Sequence, residues 1–157
     1  MRIHIPVLVT AAALALVAAG SVAVAPAAHA KTTFPCYGAS CNGKDPESTG
    51  CAGSNASTVS SFNIDYGVVT ISLRYSALCH ANWTVATVHN QVPADGGEFW
   101  VQNQNGDSAY YGFDTLSDYG NYWTNMVNGV PLARACVTDD VSFPGTEPPN
   151  PGCTGWR

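Results

Sequence analysis

Six cysteines constrain this chain more than any other feature, because all of them lie beyond an apolar N-terminal segment. They are Cys36, Cys41, Cys51, Cys79, Cys136 and Cys153. An even number of cysteines in an exported chain favours a framework of disulfide bonds. The sequence leaves the pairing open, although Cys153 is expected to bond to Cys136 or to one of the N-terminal cysteines. Cys79, just after a predicted strand, is expected to tie that strand to the N-terminal loop.

Residues 1–30 have the three parts of a secretory signal peptide. Met1-Arg2 is a short basic start, the run 7–24 is almost wholly Ala, Val and Leu, and Ala28-His29-Ala30 is a small-residue exit. An uncleaved anchor is the alternative, since about 18 apolar residues can just span a bilayer. The small-residue exit favours cleavage after Ala30. We therefore expect a secreted, extracellular chain with no membrane attachment after cleavage.

The charge of the mature chain argues against nucleic acid as a partner. Removing Arg2 from the six basic residues leaves five against eleven acidic residues, a formal charge of −6. Binding to phosphates requires clustered Lys and Arg, and no two basic residues of the mature chain are neighbours. We therefore expect no nucleic-acid partner.

Short β-strands separated by turns are predicted across the middle of the chain. In the segment 68–74, Val69, Ile71 and Leu73 alternate with other residues and predict one buried face. Asn105-Gly106 is typical of a hairpin turn. The remaining predicted strands are 83–89, 99–104, 109–113, 121–127 and 132–138. The pattern predicts an all-β fold, a small antiparallel sandwich or barrel stapled by disulfides.

The chain is expected to consist of three parts. Residues 1–30 form the signal peptide and residues 31–138 the secreted β domain, whose irregular N-terminal loop extends to about residue 57. Residues 139–157 form a Pro-rich C-terminal tail that is expected to be extended coil. Because such a tail has little to hold it in place, Cys153 is expected to tie it back to the domain.

Several motifs together resemble a known family. They are CNGKDP at 41–46 followed by Cys51, LRYS at 73–76 followed by Cys79 and Trp83, TNMV at 124–127, and ARAC at 133–136. Their order and spacing resemble the YjfA-like family of uncharacterised secreted bacterial proteins, which is abundant in actinobacteria. The resemblance implies an exported domain with disulfides and implies no activity. Relatives tend to carry a basic residue shortly after the tryptophan, whereas Thr84 and Val85 follow Trp83 here.

Residues suited to catalysis or metal binding are sparse. The cysteine spacing, taken with His80 and His89, matches no compact zinc pattern, and extracellular thiols usually pair with each other. No nucleophile elbow of the G-x-S-x-G type is present. The acids of the middle segment lie in turns, where carboxylates normally form turns; they are Asp95, Glu98, Asp107, Asp114 and Asp118. We therefore predict no catalytic residues, no metal, no cofactor and no enzymatic activity.

Aromatic residues interleaved with amides give the main positive indication of function. Between residues 100 and 123 they are Trp100, Tyr110, Tyr111, Phe113, Tyr119, Tyr122 and Trp123. Rigid apolar rings flanked by amide groups suit the faces and hydroxyls of sugars. Core packing of the rings is the competing interpretation. We predict a non-catalytic binding module for a cell-wall or environmental glycan, with Trp100, Tyr111, Tyr122 and Trp123 as ligand-binding residues.

A second function is compatible with the N-terminal cysteines. A secreted inhibitor or protein-interaction domain would present a disulfide-braced loop to a protein partner. The segment 36–51, stiffened by Asp45-Pro46, is the place where such a loop would lie. The expected partner is thus an extracellular glycan or, in the alternative, a secreted protein.

Overall fold

A computed structural model describes residues 36–64, 67–90, 97–113, 119–138 and 152–157. The proposed signal peptide and most of the Pro-rich tail lie outside these residues. The strands are β1 (Ala56–Ile64), β2 (Val69–Ser76), β3 (Ala81–Val88), β4 (Gly97–Asn103), β5 (Ser108–Phe113), β6 (Gly120–Trp123), β7 (Val127–Asn128), β8 (Ala133–Val137) and β9 (Gly152–Cys153). One turn of 3-10 helix, Gly38–Cys41, precedes them. Within the described ranges, no helix has the length and apolar character needed to cross a membrane.

The strands form two antiparallel sheets that pack as a sandwich. The first sheet has the order β1-β2-β3-β6, and β7 also pairs with β3. The second sheet has the order β5-β4-β8-β9. β6 is therefore an edge of the first sheet, and β5 is an edge of the second. The predicted all-β, disulfide-stapled architecture is confirmed.

The main core lies between the two sheets and follows the alternation of the strands. Val69, Ile71 and Leu73 of β2 are buried, as the period of two predicts. Phe99 and Val101 are buried from the second sheet. Each such side chain contributes about 1.5–3 kcal/mol when it is fully removed from water. The predicted apolar face of β2 is confirmed.

A second, smaller core lies on the other side of the first sheet. The N-terminal loop contributes Cys41 and Cys51 to it, and β3 contributes Trp83. Cys79 and Met126 are also buried in this second core. Because β3 is covered on both faces, six of its eight residues are buried, from Ala81 to Val88.

The disulfides are Cys36–Cys41, Cys51–Cys79 and Cys136–Cys153, so all six cysteines are paired. Two pairings agree with the sequence analysis. Cys153 is bonded to Cys136, and Cys79, in the turn between β2 and β3, is bonded to the N-terminal loop. The loop is thus braced internally by one bond and fixed to the sheet by another.

The last residues of the chain belong to the second sheet rather than to a coil. Gly152 and Cys153 pair with β8, and Thr154 Oγ1 accepts a hydrogen bond of 3.0 Å from the backbone N–H of Ala135. The Trp156 ring lies 4.5 Å from the guanidinium carbon of Arg134. Cys153, which bonds the tail to the domain, is therefore part of a short strand. This strand was not predicted, because the sequence indicated extended coil.

Two other elements differ from the sequence-based expectation. β1 was not predicted, because only Phe62 and Ile64 of its residues pack against the main core and the rest are mainly Ser, Thr and Asn. The pairing of β1 with β2 shifts register between Thr58 and Ser60, which further obscures the period of two. The predicted strand 121–127 is split into β6 and β7, which pair with different parts of β3.

Candidate ligand-binding cleft

Three of the four predicted ligand-binding residues line one cleft. Tyr111, Tyr122 and Trp123 lie together at the side of the sandwich where the edge strands β5 and β6 end the two sheets. The cleft has a volume of about 360 Å³. Its other described lining residues are Asp45, Tyr110 and Asn125.

The two inner rings of the cleft are continuous with the main core. Tyr111 is opposite Phe99 in the β4–β5 register and stacks on it, with ring centroids 5.0 Å apart. Tyr122 pairs with the buried Ala86 of β3. The rings of Tyr111 and Tyr122 meet across the two sheets at 6.0 Å. Core packing therefore fixes the orientation of both rings.

Tyr110 is the most exposed ring of the cleft, with 57% of its surface accessible. It points to the opposite face of β5 from Tyr111, because successive side chains of a strand alternate. It stacks on Trp100, its partner in the register, at 6.0 Å. Trp100 thus lies on the outer face of the second sheet and does not line the cleft itself. The two rings face opposite sides of β5, and the accessible surface identifies Tyr110 as the exposed member of the pair.

Asp45 brings a carboxylate from the N-terminal loop to the cleft. Its Oδ1 accepts a 2.7 Å hydrogen bond from the backbone N–H of Ser48, and its Oδ2 accepts one of 2.9 Å from the indole N–H of Trp123. The hydrogen bond from Ser48, and then that from Trp123, lowers the pKa of Asp45 below its ordinary value of 3.8. The group is therefore ionised at neutral pH and retains further acceptor capacity on both oxygens.

Backbone pairing holds the loop against the sheet beside the cleft. The N–H of Gly43 donates to the carbonyl of Met126 at 2.9 Å, and the N–H of Met126 donates to the carbonyl of Lys44 at 2.9 Å. Both bonds lie beside the cleft residues, since Gly43 and Lys44 directly precede Asp45 and Met126 directly follows Asn125. Asp45 was not predicted as a member of this site, because Asp45-Pro46 was interpreted as a turn that stiffens a separate loop. Asn125, in contrast, is one of the amides that accompany the aromatic run.

A second, smaller cleft lies on the other side of Trp123, on the outer face of the first sheet. Its volume is about 240 Å³, and its lining includes Glu47, Arg74 and Asn121. The Arg74 guanidinium donates to Thr58 Oγ1 at 2.8 Å and to the carbonyl of Ala56 at 3.3 Å. Trp123 borders both clefts, so its indole separates an aromatic surface from a polar one.

Among the residues that the structure describes, the remaining acids and histidines do not line the cleft. Asp107 accepts a 2.8 Å bond from Asn103 in the turn between β4 and β5, as expected of a turn carboxylate. Asp95, Asp114 and Asp118 lie outside the described residues. His89 Nε2 is 2.8 Å from Thr70 Oγ1, and the His80 ring stacks on Tyr37 at 4.5 Å.

One group of sulfur atoms could hold a metal ion by its geometry. The Sγ atoms of Cys36, Cys41, Cys51 and Cys79 lie within 4.8 Å of one another and all four residues are buried. In the oxidised chain they form the two N-terminal disulfides.

Acid is expected to weaken the contact between Asp45 and Trp123. A carboxyl whose pKa is lowered in the folded state stabilises the fold above its unfolded pKa, and this contribution is lost as the pH falls through the folded pKa. We expect the stability advantage of the parent over Asp45→Asn to be constant near neutral pH and to shrink below 3.8. Urea unfolding of both proteins from neutral to acidic pH measures this difference. An advantage that is unchanged in acid would contradict it.

Comparison with known proteins finds one family. The family model described as "Protein of unknown function (DUF2690)" matches residues 39–136. No curated protein and no solved structure matches the chain. The matched segment contains Asp45, both edge strands of the cleft and the sandwich strands β1 to β8 except the last residue of β8. The chain therefore belongs to this family of proteins of unknown function.

Proposed function

We propose that this chain is a non-catalytic extracellular module that binds a glycan. The observation that carries the proposal is the cleft itself, in which four aromatic side chains meet one carboxylate and one exposed amide. Aromatic faces supply apolar area at fixed geometry. Asp45 accepts hydrogen bonds, and the amide of Asn125 can both donate and accept them. This combination suits a sugar ring, which has apolar C–H faces and hydroxyls at its edge.

The size and charge of the cleft narrow the class of glycan. Its volume of about 360 Å³ lies within the range of about 300–1,000 Å³ that is usual for small-ligand sites. Asp45 is the charged group among its described lining residues, and it is ionised at neutral pH. A fixed negative charge favours neutral or cationic sugars over sulfated or carboxylated ones. Neutral hexose and N-acetylhexosamine polymers are therefore the proposed ligands.

The same charge arrangement supports a role without catalysis. Glycoside hydrolysis normally uses two carboxyl groups, one of which has a raised pKa so that it can donate a proton. The described lining of the cleft supplies one carboxylate, Asp45, and its pKa is lowered. Such a group accepts hydrogen bonds well and donates protons poorly near neutral pH.

An extracellular location is part of this proposal. Export through residues 1–30 would place the domain where disulfides form and persist, and the three disulfides agree with that environment. The resemblance to the YjfA-like family and an actinobacterial origin rest on the sequence motifs alone.

Binding to insoluble polymers tests the proposed function. We expect the mature oxidised protein to co-sediment with isolated bacterial cell wall, chitin or cellulose. The Tyr110→Ala/Asn125→Ala variant removes two exposed groups of the cleft and should bind the same polymer at least about tenfold more weakly, a loss of about 1.4 kcal/mol. Both positions are exposed, so the variant should keep the parent's unfolding midpoint.

Tyr37→Ala provides a matched control. Tyr37 is 56% exposed, nearly the same as Tyr110, and is not a lining residue of the cleft. It should bind like the parent. Equal weakening by Tyr37→Ala would contradict the cleft as the site. Absence of binding to every polymer would contradict the glycan proposal and direct attention to protein partners of the loop 36–51.

A further inference from the structure

The four cysteines of the N-terminal loop and the β2–β3 turn form one compact group, the four-sulfur cluster. It consists of Cys36, Cys41, Cys51 and Cys79, whose Sγ atoms lie within 4.8 Å of one another. The sulfurs of Cys36 and Cys51, which belong to different disulfides, are 3.8 Å apart. Two disulfides that only brace a loop need no such proximity. The fold therefore brings four potential thiolate ligands to one point.

The spacing of the sulfurs matches that of a tetrahedral metal site. Zinc bound by four thiolates has Zn–S distances of about 2.3 Å, which places the sulfurs about 3.8 Å apart. Sulfurs of different disulfides already lie near this separation, 3.8 Å for Cys36 and Cys51 and at most 4.8 Å for the group. The two sulfurs within each disulfide would have to move apart once their bond is broken. Cys36 and Cys41 are separated by four residues, within the spacing of about two to four that paired zinc ligands often have. The other two ligands come from separate segments, so the sequence alone did not indicate the site.

We propose that the four-sulfur cluster has a second chemical state, in which the reduced thiolates bind one Zn²⁺ ion. Two molecules of a dithiol reductant supply four electrons and four protons and are themselves oxidised to disulfides. The two disulfides of the cluster thereby become four thiols. On binding Zn²⁺ the thiols release four protons and leave a tetrathiolate complex. A disulfide oxidant reverses the step: two molecules of oxidant accept the four electrons, both disulfides form again, and the metal is released.

The surroundings of the cluster suit a structural metal rather than a catalytic one. All four cysteines are buried, with exposures of 5% or less, and Trp83 and Met126 pack around them. A closed site with four protein ligands leaves no open position for water or substrate. Because the metal joins the same loop and turn that the disulfides join, it would stabilise the same fold. Reduction would then exchange one type of brace for another.

Cobalt binding to the reduced protein tests the proposal. The full mature chain, reduced by a phosphine without oxygen, is titrated with Co²⁺ and then with Zn²⁺. We expect one equivalent of Co²⁺ to give the intense visible absorption of tetrahedral cobalt–thiolate coordination, and one equivalent of Zn²⁺ to abolish it. Zn²⁺ should also raise the unfolding temperature of the reduced chain. Adding three equivalents of a disulfide oxidant, one for each disulfide of the chain, should release the bound zinc.

Two double variants assign the ligands. Cys136→Ser/Cys153→Ser keeps the cluster and should still bind one equivalent. Cys51→Ser/Cys79→Ser removes two ligands and should bind Co²⁺ at least about a hundredfold more weakly, without the four-thiolate spectrum. Since metal binding itself is expected to order the site, absence of the tetrahedral spectrum in the reduced parent overturns the proposal, whether or not that chain is folded. Equal affinity of the two variants overturns it as well.

Discussion

Replacing Trp83 with Ala is expected to lower the free energy of unfolding by about 3–5 kcal/mol, the usual cost of truncating a large buried aromatic side chain. Trp83 is only 2% exposed and lies in the second core, between β3 and the N-terminal loop. Its removal would leave a cavity lined by the disulfides, which hold the loop in place and so prevent the space from closing. Urea unfolding of the oxidised protein measures the loss.

Trp100→Ala is the matched control for this expectation. Trp100 has the same side chain but is only half-buried, on the outer face of the second sheet, where it stacks on the exposed Tyr110. We expect its loss to cost less than about half as much as that of Trp83, since less apolar area returns to water. Equal costs for the two variants would show that the loop does not form a second core over Trp83.

Removal of the Cys51–Cys79 disulfide is expected to destabilise the fold more than removal of either other disulfide. The three bonds close loops with sequence separations of 28, 17 and 5 residues, for Cys51–Cys79, Cys136–Cys153 and Cys36–Cys41 respectively. The chain-entropy relation gives losses of about 3.5, 3 and 2 kcal/mol in that order. Double Cys→Ser variants of each pair, unfolded in urea without metal, measure the three losses.

The Cys36→Ser/Cys41→Ser variant is the key comparison in that series. It removes two members of the same buried cluster as Cys51→Ser/Cys79→Ser, so the two variants introduce the same atoms in nearly the same surroundings. They differ in the length of chain that each bond closes. A larger loss for Cys36→Ser/Cys41→Ser would mean that local packing, and not loop closure, sets the contribution of these bonds.

Much of the sandwich follows from the sequence. Alternation identified β2 and its buried face, and the hairpin signal at Asn105-Gly106 correctly separated β4 from β5. Two of the three disulfide contacts were also expected from the positions of Cys79 and Cys153. These successes rest on local pattern, because the period of a strand and the geometry of a turn are properties of neighbouring residues.

The failures share a different cause. β1 was missed because an edge strand with one weakly buried face carries few apolar residues, and a register shift interrupts its alternation. β9 is only two residues long and is held by pairing with β8 and by a disulfide. Both elements depend on contacts with distant parts of the chain, which the sequence of the element does not encode.

The cleft was predicted in part for the same reason. The aromatic run indicated Tyr111, Tyr122 and Trp123, which do line it, but Trp100 faces another surface. Asp45 reaches the cleft from a segment 78 residues away from Trp123. No rule of sequence spacing relates these two residues. The fold of the N-terminal loop brings them together. Pairwise contacts between a loop and a sheet edge were therefore the missing information.

The double role of Tyr111 and Tyr122, in the core and in the cleft, limits how the sequence of this protein can diverge. Each ring packs against the main core and also lines the cleft. A mutation that reshapes the cleft at either position therefore carries a cost in folding, whereas Tyr110 and Asn125 can change with little such cost. Homologues should vary first at the exposed rim and keep the inner pair. Selection on recognition and selection on foldability thus act on different halves of the same small surface.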